Sequence, residues 1–259
     1  SYHYKYLDNS KYFFEYIVTN HPEIQAVWLT SNGRLLRRLR VKGVIVFKKY
    51  SIKGFLFSFR AGVVFLSSYR HDVNPYAIRN AFIVNAWHGV PLKTIEYNIP
   101  AGYSNDFFRR RRLFDKLSVL LPRFNMSYSL ITASSPKVKS IFNKAFKIDN
   151  DKIAVTGDPR MDILFADNTK RPHECTLLYL PTFRSMSSID YFSYDFQPEE
   201  WQKYLEENNL ILKVKFHSNE KELECKYQTQ FQSYDKIQFL SRDDDPYIIL
   251  KSTKILLTD

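Results

Sequence analysis

The chain has 259 residues, 44% apolar and 16% aromatic, which is ample material for a core and unlike a disordered tail or a fibre. Its 38 Lys and Arg against 27 Asp and Glu leave a net charge of +11, and its two cysteines, Cys175 and Cys225, share no C-x-x-C. Those figures disfavour a disulfide framework and a structural zinc site, and no apolar run approaches the ~18 to 20 residues of a membrane span.

Along the chain, residues 9–20 carry Phe13, Phe14 and Ile17 at helical spacing, with Ser10 as the expected N-cap. Residues 25–30 then read as a strand, 32–41 as a basic helix and 43–47 as a strand, followed by strands at 62–66 and 81–87. Helices are predicted over 107–125 and Pro136–Phe146, with strands at 129–133 and 152–156. The polar stretch 166–173 marks a domain boundary, dividing 1–168 from 169–259. Beyond it come a strand at 176–180, a helix at 198–208, a strand at 210–216, a helix at 220–229, a strand at 237–240, a helical turn at Pro246–Lys251 and a strand at 254–258. This alternation predicts an α/β protein: two Rossmann-like lobes, each a parallel sheet covered by helices.

The positive charge is uneven. Residues 1–130 hold 20 basic and 7 acidic side chains, a net of +13, and residues 131–259 hold 18 and 20, a net of −2. In the first half, Arg34-Leu35-Leu36-Arg37-Arg38-Leu39-Arg40 and Phe107-Phe108-Arg109-Arg110-Arg111-Arg112-Leu113-Phe114 mix cations with bulky apolar residues, a composition suited to anionic lipid head groups as well as to a solvated helix face. No nucleic-acid recognition motif accompanies them, so nucleic acid is not an expected partner. With no signal-peptide pattern at the start, the expectation is a soluble or peripherally bound cytosolic protein. Glycine is scarce, at 7 residues, and neither G-x-G-x-x-G nor G-x-x-x-x-G-K-[ST] occurs, against the common dinucleotide and P-loop sites.

Four apolar runs are each followed at once by a polar residue suited to chemistry. Residues 81–87 lead to His88-Gly89, 177–180 to Pro181-Thr182-Phe183-Arg184, 210–216 to His217, and 255–258 to Asp259. Ligands of parallel α/β sheets bind outside the carboxyl ends of the strands, so two histidines, an arginine and an aspartate are expected to line one crevice. Taken singly, each has a structural reading: a hydrogen-bonded histidine, an ion-paired arginine, an aspartate capping a helix. The turn Gly157-Asp158-Pro159-Arg160-Met161-Asp162 follows another strand and reads both as a helix start and as an anion site.

These strings, with Asp8-Asn9-Ser10-Lys11-Tyr12, Phe14-Glu15-Tyr16, His21-Pro22-Glu23, Val27-Trp28-Leu29-Thr30, Trp87-His88-Gly89-Val90-Pro91-Leu92-Lys93, Leu180-Pro181-Thr182-Phe183-Arg184, Lys215-Phe216-His217 and Leu256-Leu257-Thr258-Asp259, resemble the CDP-glycerol glycerophosphotransferase family of teichoic-acid primases and polymerases and related capsule polymerases. The order matches from about residue 8 to the end. Ser218 and Ser185 depart from the pattern, where proline and an acidic residue are common.

The resemblance implies a GT-B-like fold, two Rossmann-like lobes with parallel sheets facing across a cleft, the second lobe incomplete at its C-terminus. It implies an N-terminal lobe on the acceptor and membrane side and a C-terminal lobe that binds the CDP donor. It implies transfer of glycerol phosphate from CDP-glycerol to a hydroxyl of a lipid-linked or growing teichoic-acid-like or capsular polymer, releasing CMP, at the cytoplasmic face of the membrane. His88 then matches the general base and Lys93 adds positive charge near the phosphates. Thr182 and Arg184 of the P-T-F-R string, His217 and Asp259 match donor contacts, and Gly157, Arg160 and Asp162 match a turn near the cleft. No metal or other cofactor is implied. A hydroxyl attacking phosphorus must lose a proton near neutral pH, which suits histidine, and charge gathering on the departing CMP suits a guanidinium and a second histidine. CDP-ribitol or another CDP-alditol as donor, a non-enzymatic membrane-surface scaffold and a nucleotide-sugar glycosyltransferase remain the alternatives.

Overall fold

The computed structural model describes residues 5–78, 80–99, 127–165, 175–181, 192, 196–217, 220–241 and 243–258. The chain forms two compact units, Ser1–Met161 and Asp162–Asp259. The predicted helix at 107–125 and the polar stretch 166–173 lie outside the described residues.

In the first unit, helix α1 (Asp8–Asn20) begins one residue before Asn9. Leu7 holds the cap position without a side-chain bond, so Ser10 is not the cap. Ser10 lies inside the first turn, where its N–H donates to Ser67 Oγ at 2.8 Å and its hydroxyl meets the same oxygen at 2.6 Å. A tertiary hydroxyl has taken the group that would otherwise have capped the helix. Strands β1 (Trp28–Thr30) and β2 (Val46–Lys48) pair in parallel on either side of α2 (Gly33–Val41). Asn32 caps α2 by accepting from the Arg34 and Leu35 N–H groups, and its leucines, Leu35, Leu36 and Leu39, are buried with Trp28 and Val46 while the arginines face solvent.

The sequence reading left out helix α3 (Ile52–Arg60), although Ile52, Phe55, Leu56 and Phe59 recur at helical spacing; that stripe is exposed, and the helix buries Gly54 and Ser58 instead. Ser51 caps it, and Gly54 lies so close to β2 that a Cβ there would stand 2.0 Å from the Lys48 carbonyl oxygen. Strands β3 (Val63–Leu66), β4 (Phe82–Asn85), β5 (Leu130–Ala133) and β6 (Ile153–Val155) form a four-stranded parallel sheet in that order. Helix α4 (Pro136–Phe146), capped by Ser135 with Pro136 in its first turn, buries Val138, Phe142 and Phe146 against Ile83, Ile131 and Ile153. A 3-10 turn, Pro159–Met161, ends the unit.

The second unit opens with the short helix α5 (Asp162–Phe165) and carries β7 (Cys175–Tyr179), α6 (Pro198–Glu207), β8 (Leu210–Val214), α7 (Lys221–Gln230), β9 (Ile237–Phe239), α8 (Pro246–Lys251) and β10 (Thr253–Leu257). The sheet is parallel, in the order β10-β7-β8-β9. Its core includes Leu177, Leu212, Val214 and Ile237 from the strands, with Leu205 of α6, Tyr227 of α7 and Phe231 just past its end. Strands β5 and β7 are largely buried, whereas the edge strand β10 leaves Ile255, Leu256 and Leu257 exposed.

Candidate active site

The carboxyl end of β4 is built from buried polar side chains. Asn85, fully buried, donates from Nδ2 to the Ser68 carbonyl at 2.8 Å and accepts the Trp87 N–H on Oδ1 at 2.8 Å. This turns the chain sharply, and Trp87 takes a left-handed φ of 51°, a conformation that only glycine adopts freely. Its indole is 4% exposed, edge-on to Tyr69 and Phe146 with centroids 5.4 and 4.9 Å away. His88 follows this elbow, its ring 4.2 Å from that of Trp87.

The His88 ring has a defined tautomer. Nδ1 stands 3.1 Å from the Ser67 carbonyl oxygen, which can only accept, so Nδ1 carries the proton of the neutral imidazole and Nε2 is its proton-accepting nitrogen. That is the form a general base needs.

Two distant segments close on the same elbow. Asn9, in the first turn of α1 and fully buried, donates from Nδ2 to the carbonyls of Ala86 and Trp87, each at 3.1 Å. Its Oδ1 accepts the Arg160 N–H at 3.2 Å. The Arg160 guanidinium, 7% exposed, donates from Nη1 to the His88 carbonyl at 2.9 Å and to Asp8 Oδ1 at 2.8 Å, and from Nη2 to Asp158 Oδ2 at 3.4 Å. Burial drives the Asp8 carboxyl above its ordinary pKa, opposed by the Arg160 charge and the Asn9 N–H. Gly157 enters the turn at a φ of +82°. The turn thus anchors to α1 and to the backbone of His88, and Arg160 lies inside the unit.

Lys93 is exposed in the loop beyond His88, and Asp162 is exposed at the start of α5. In the second unit, β7 runs on to β8 at one side while β10 lies at its other side, so the chain reverses direction across the sheet between β7 and β10. Ligands of open α/β sheets bind at such a switch point. There Thr258 Oγ1 donates to the Leu180 carbonyl at 3.0 Å, and the Leu180 N–H donates to the Leu257 carbonyl at 2.9 Å. Thr182, Arg184 and Asp259 follow these residues within four positions in sequence but lie outside the described residues. His217, three residues past β8, is half-buried, with its N–H on Glu220 Oε2 at 3.2 Å and its carbonyl accepting the Glu220 N–H at 2.9 Å.

Among the described residues no group of three His, Cys, Asp or Glu side chains stands close enough to hold a metal ion, and no helix is long and apolar enough to cross a membrane. Asp8 and Asn9, which support His88, were not singled out by chemistry at the sequence level. The available signal was three consecutive polar residues, Asp8-Asn9-Ser10, at a helix start, whereas a helix with one apolar face usually keeps such residues in solvent.

Two parallel α/β units with candidate groups at their strand ends define a GT-B-like protein. The chain belongs to the CDP-Glycerol:Poly(glycerophosphate) glycerophosphotransferase family, whose model matches residues 1–259. A teichoic acid glycerol-phosphate transferase of Staphylococcus aureus is 27% identical over 236 residues, covering 80% of this chain and 56% of that protein. The solved structure of the wall teichoic acid polymerase TagF superposes with a TM-score of 0.70 at 19% identity, over 98% of this chain and 63% of that one. A putative UDP-N-acetylglucosamine 2-epimerase from Listeria monocytogenes matches with a TM-score of 0.50 at 11% identity, over 97% of this chain and 70% of its own, a likeness of fold alone. The chain thus spans little more than half of the curated relative it matches.

Proposed function

We propose that this chain forms part of a transferase that moves glycerol phosphate from CDP-glycerol to a hydroxyl of a growing or lipid-linked teichoic-acid-like polymer, releasing CMP. Family membership supports the class of reaction. The single observation that carries the mechanism is the His88 ring, held by the Ser67 carbonyl in the tautomer whose Nε2 accepts a proton. In this reading Nε2 takes the proton of the acceptor hydroxyl as its oxygen bonds to the phosphorus of the glycerol phosphate, and the bond from that phosphorus to the oxygen of CMP breaks.

The second unit holds the donor in this reading. His217, Thr182, Arg184 and Asp259 lie at or follow its strand ends in sequence, and a guanidinium and a histidine at the diphosphate oxygens stabilise charge that grows on CMP. Lys93, exposed past His88, adds positive charge for the incoming phosphates, and Gly157 and Asp162 flank the Arg160 turn in sequence. The net charge of +13 on residues 1–130 supports a peripheral place on an anionic inner membrane surface, with the first unit toward the acceptor. The transfer runs without an obligatory metal ion.

The test is CMP release by the full-length protein with a lipid-linked acceptor, given CDP-glycerol and CDP-ribitol in parallel. Turnover with CDP-glycerol that survives EDTA is expected. Preference for CDP-ribitol overturns the donor assignment, and turnover with neither overturns the transfer itself.

A further inference from the structure

Three consecutive backbone carbonyls around His88 are each bonded by a buried side chain from a remote part of the chain. Asn9 Nδ2 bridges those of Ala86 and Trp87, and Arg160 Nη1 takes that of His88. The Trp87 N–H is held as well, on Asn85 Oδ1. Trp87 is the residue with the left-handed φ of 51°, so a backbone conformation unfavourable for tryptophan has both of its polar groups fixed by asparagines that are themselves fully buried. Such a conformation persists only where its surroundings over-determine it, and it is commonly found where a side chain must be aimed.

We propose that Asn9 and Arg160 are positioning residues of His88, a clamp that holds the Trp87 elbow and so aims the His88 ring at the acceptor hydroxyl. The Oδ1 of Asn9 accepts the Arg160 N–H, which joins the two halves of the clamp. The Asp8 carboxylate on Arg160 Nη1 keeps the guanidinium in place, with Asp158 on Nη2. Neither Asn9 nor Arg160 touches a reacting atom in this assignment. With the clamp cut, Trp87 relaxes toward an ordinary φ, the His88 carbonyl turns, and the Nδ1 bond to the Ser67 carbonyl is lost.

The inference rests on the transfer reading above for its kinetic arm and on the His88 ring alone for its spectroscopic arm. In the full-length protein, Asn9→Ala and, separately, Arg160→Lys, which keeps a charge for Asp8 but loses the fork, are expected to lower kcat on the order of 10²-fold with little change in KM for CDP-glycerol. In a His88→Ala background the same substitutions are expected to cost nothing further, because a residue acting only through His88 has no effect once it is gone. Losses that multiply in that background overturn the proposal.

Nitrogen-15 NMR of histidine-labelled protein, with His88→Ala identifying the ring, provides the second arm. The native ring is expected to give an Nδ1-protonated pattern, and folded Asn9→Ala or Arg160→Lys a tautomer mixture. An unchanged pattern in both variants overturns the clamp whatever the turnover. A lost pattern in a protein that never releases CMP upholds the clamp and removes only the transfer reading. If Asn9→Ala does not fold, Arg160→Lys decides.

Discussion

His88 and His217 stand at matching places, each three residues past the end of a parallel strand, yet they are held in different ways. His88 is bound through residues 21 and 72 positions away in the sequence, by way of a buried network that reaches back to α1. His217 is held through its backbone by Glu220, three positions on, across a loop at the start of α7. A group built from remote buried partners is fixed before any ligand arrives, since its geometry belongs to the core. The surroundings of His88 are thus preformed by the core of the first unit, whereas the His217 backbone is set by its own loop.

Substitutions can break that contrast. The largest effect is expected from His88→Ala in the full-length protein. If His88 is the general base proposed above, its loss lowers CMP release by about 10² to 10⁴-fold, while the thermal midpoint stays near the native value, read by calorimetry beside the activity assay. Asp8→Ala is expected to act on folding. It leaves the buried Arg160 charge short of a partner, at a cost of about 3 to 5 kcal/mol in denaturant unfolding of the first unit; a cost under about 1 kcal/mol would show the pair to be solvated.

Gly157→Ala meets no atom within 4 Å, so only the left-handed backbone opposes it, and a loss of about 1 to 2 kcal/mol is expected from the same unfolding measurement. The smallest effect is expected from Glu220→Gln, which weakens one hydrogen bond to the His217 N–H and costs about 1 kcal/mol or less. Its sharper readout is KM for CDP-glycerol. If His217 sits in an adaptable donor site, KM rises while kcat holds, whereas a fall in kcat alone would place His217 in machinery as rigid as that of His88.

Much of the framework was legible in the residues. Pro136–Phe146 and Pro246–Lys251 were legible as α4 and α8, and each strand among the described residues overlaps an apolar run, most of them shorter by one to three residues while β2, β7 and β10 are shifted along the chain. Helix α3 goes against the usual pattern, because its apolar stripe, Ile52, Phe55, Leu56 and Phe59, is exposed and the helix packs on β2 through the small residues Gly54 and Ser58, which no apolar run announces. Ser10 was legible as polar but not in its role: a hydroxyl at a helix start reads as a cap until a second hydroxyl, Ser67, comes within reach.

The amino-acid order alone thus determined the alternation of strands and helices, the polar residues at the strand ends and the family pattern, because these depend on neighbours within a few positions. Only the tertiary structure decided that Asn9 and Arg160, 151 positions apart, meet behind His88, and which nitrogen of that ring carries its proton. Those outcomes depend on which buried carbonyls are left needing a donor once the sheet has formed, and no local pattern records that.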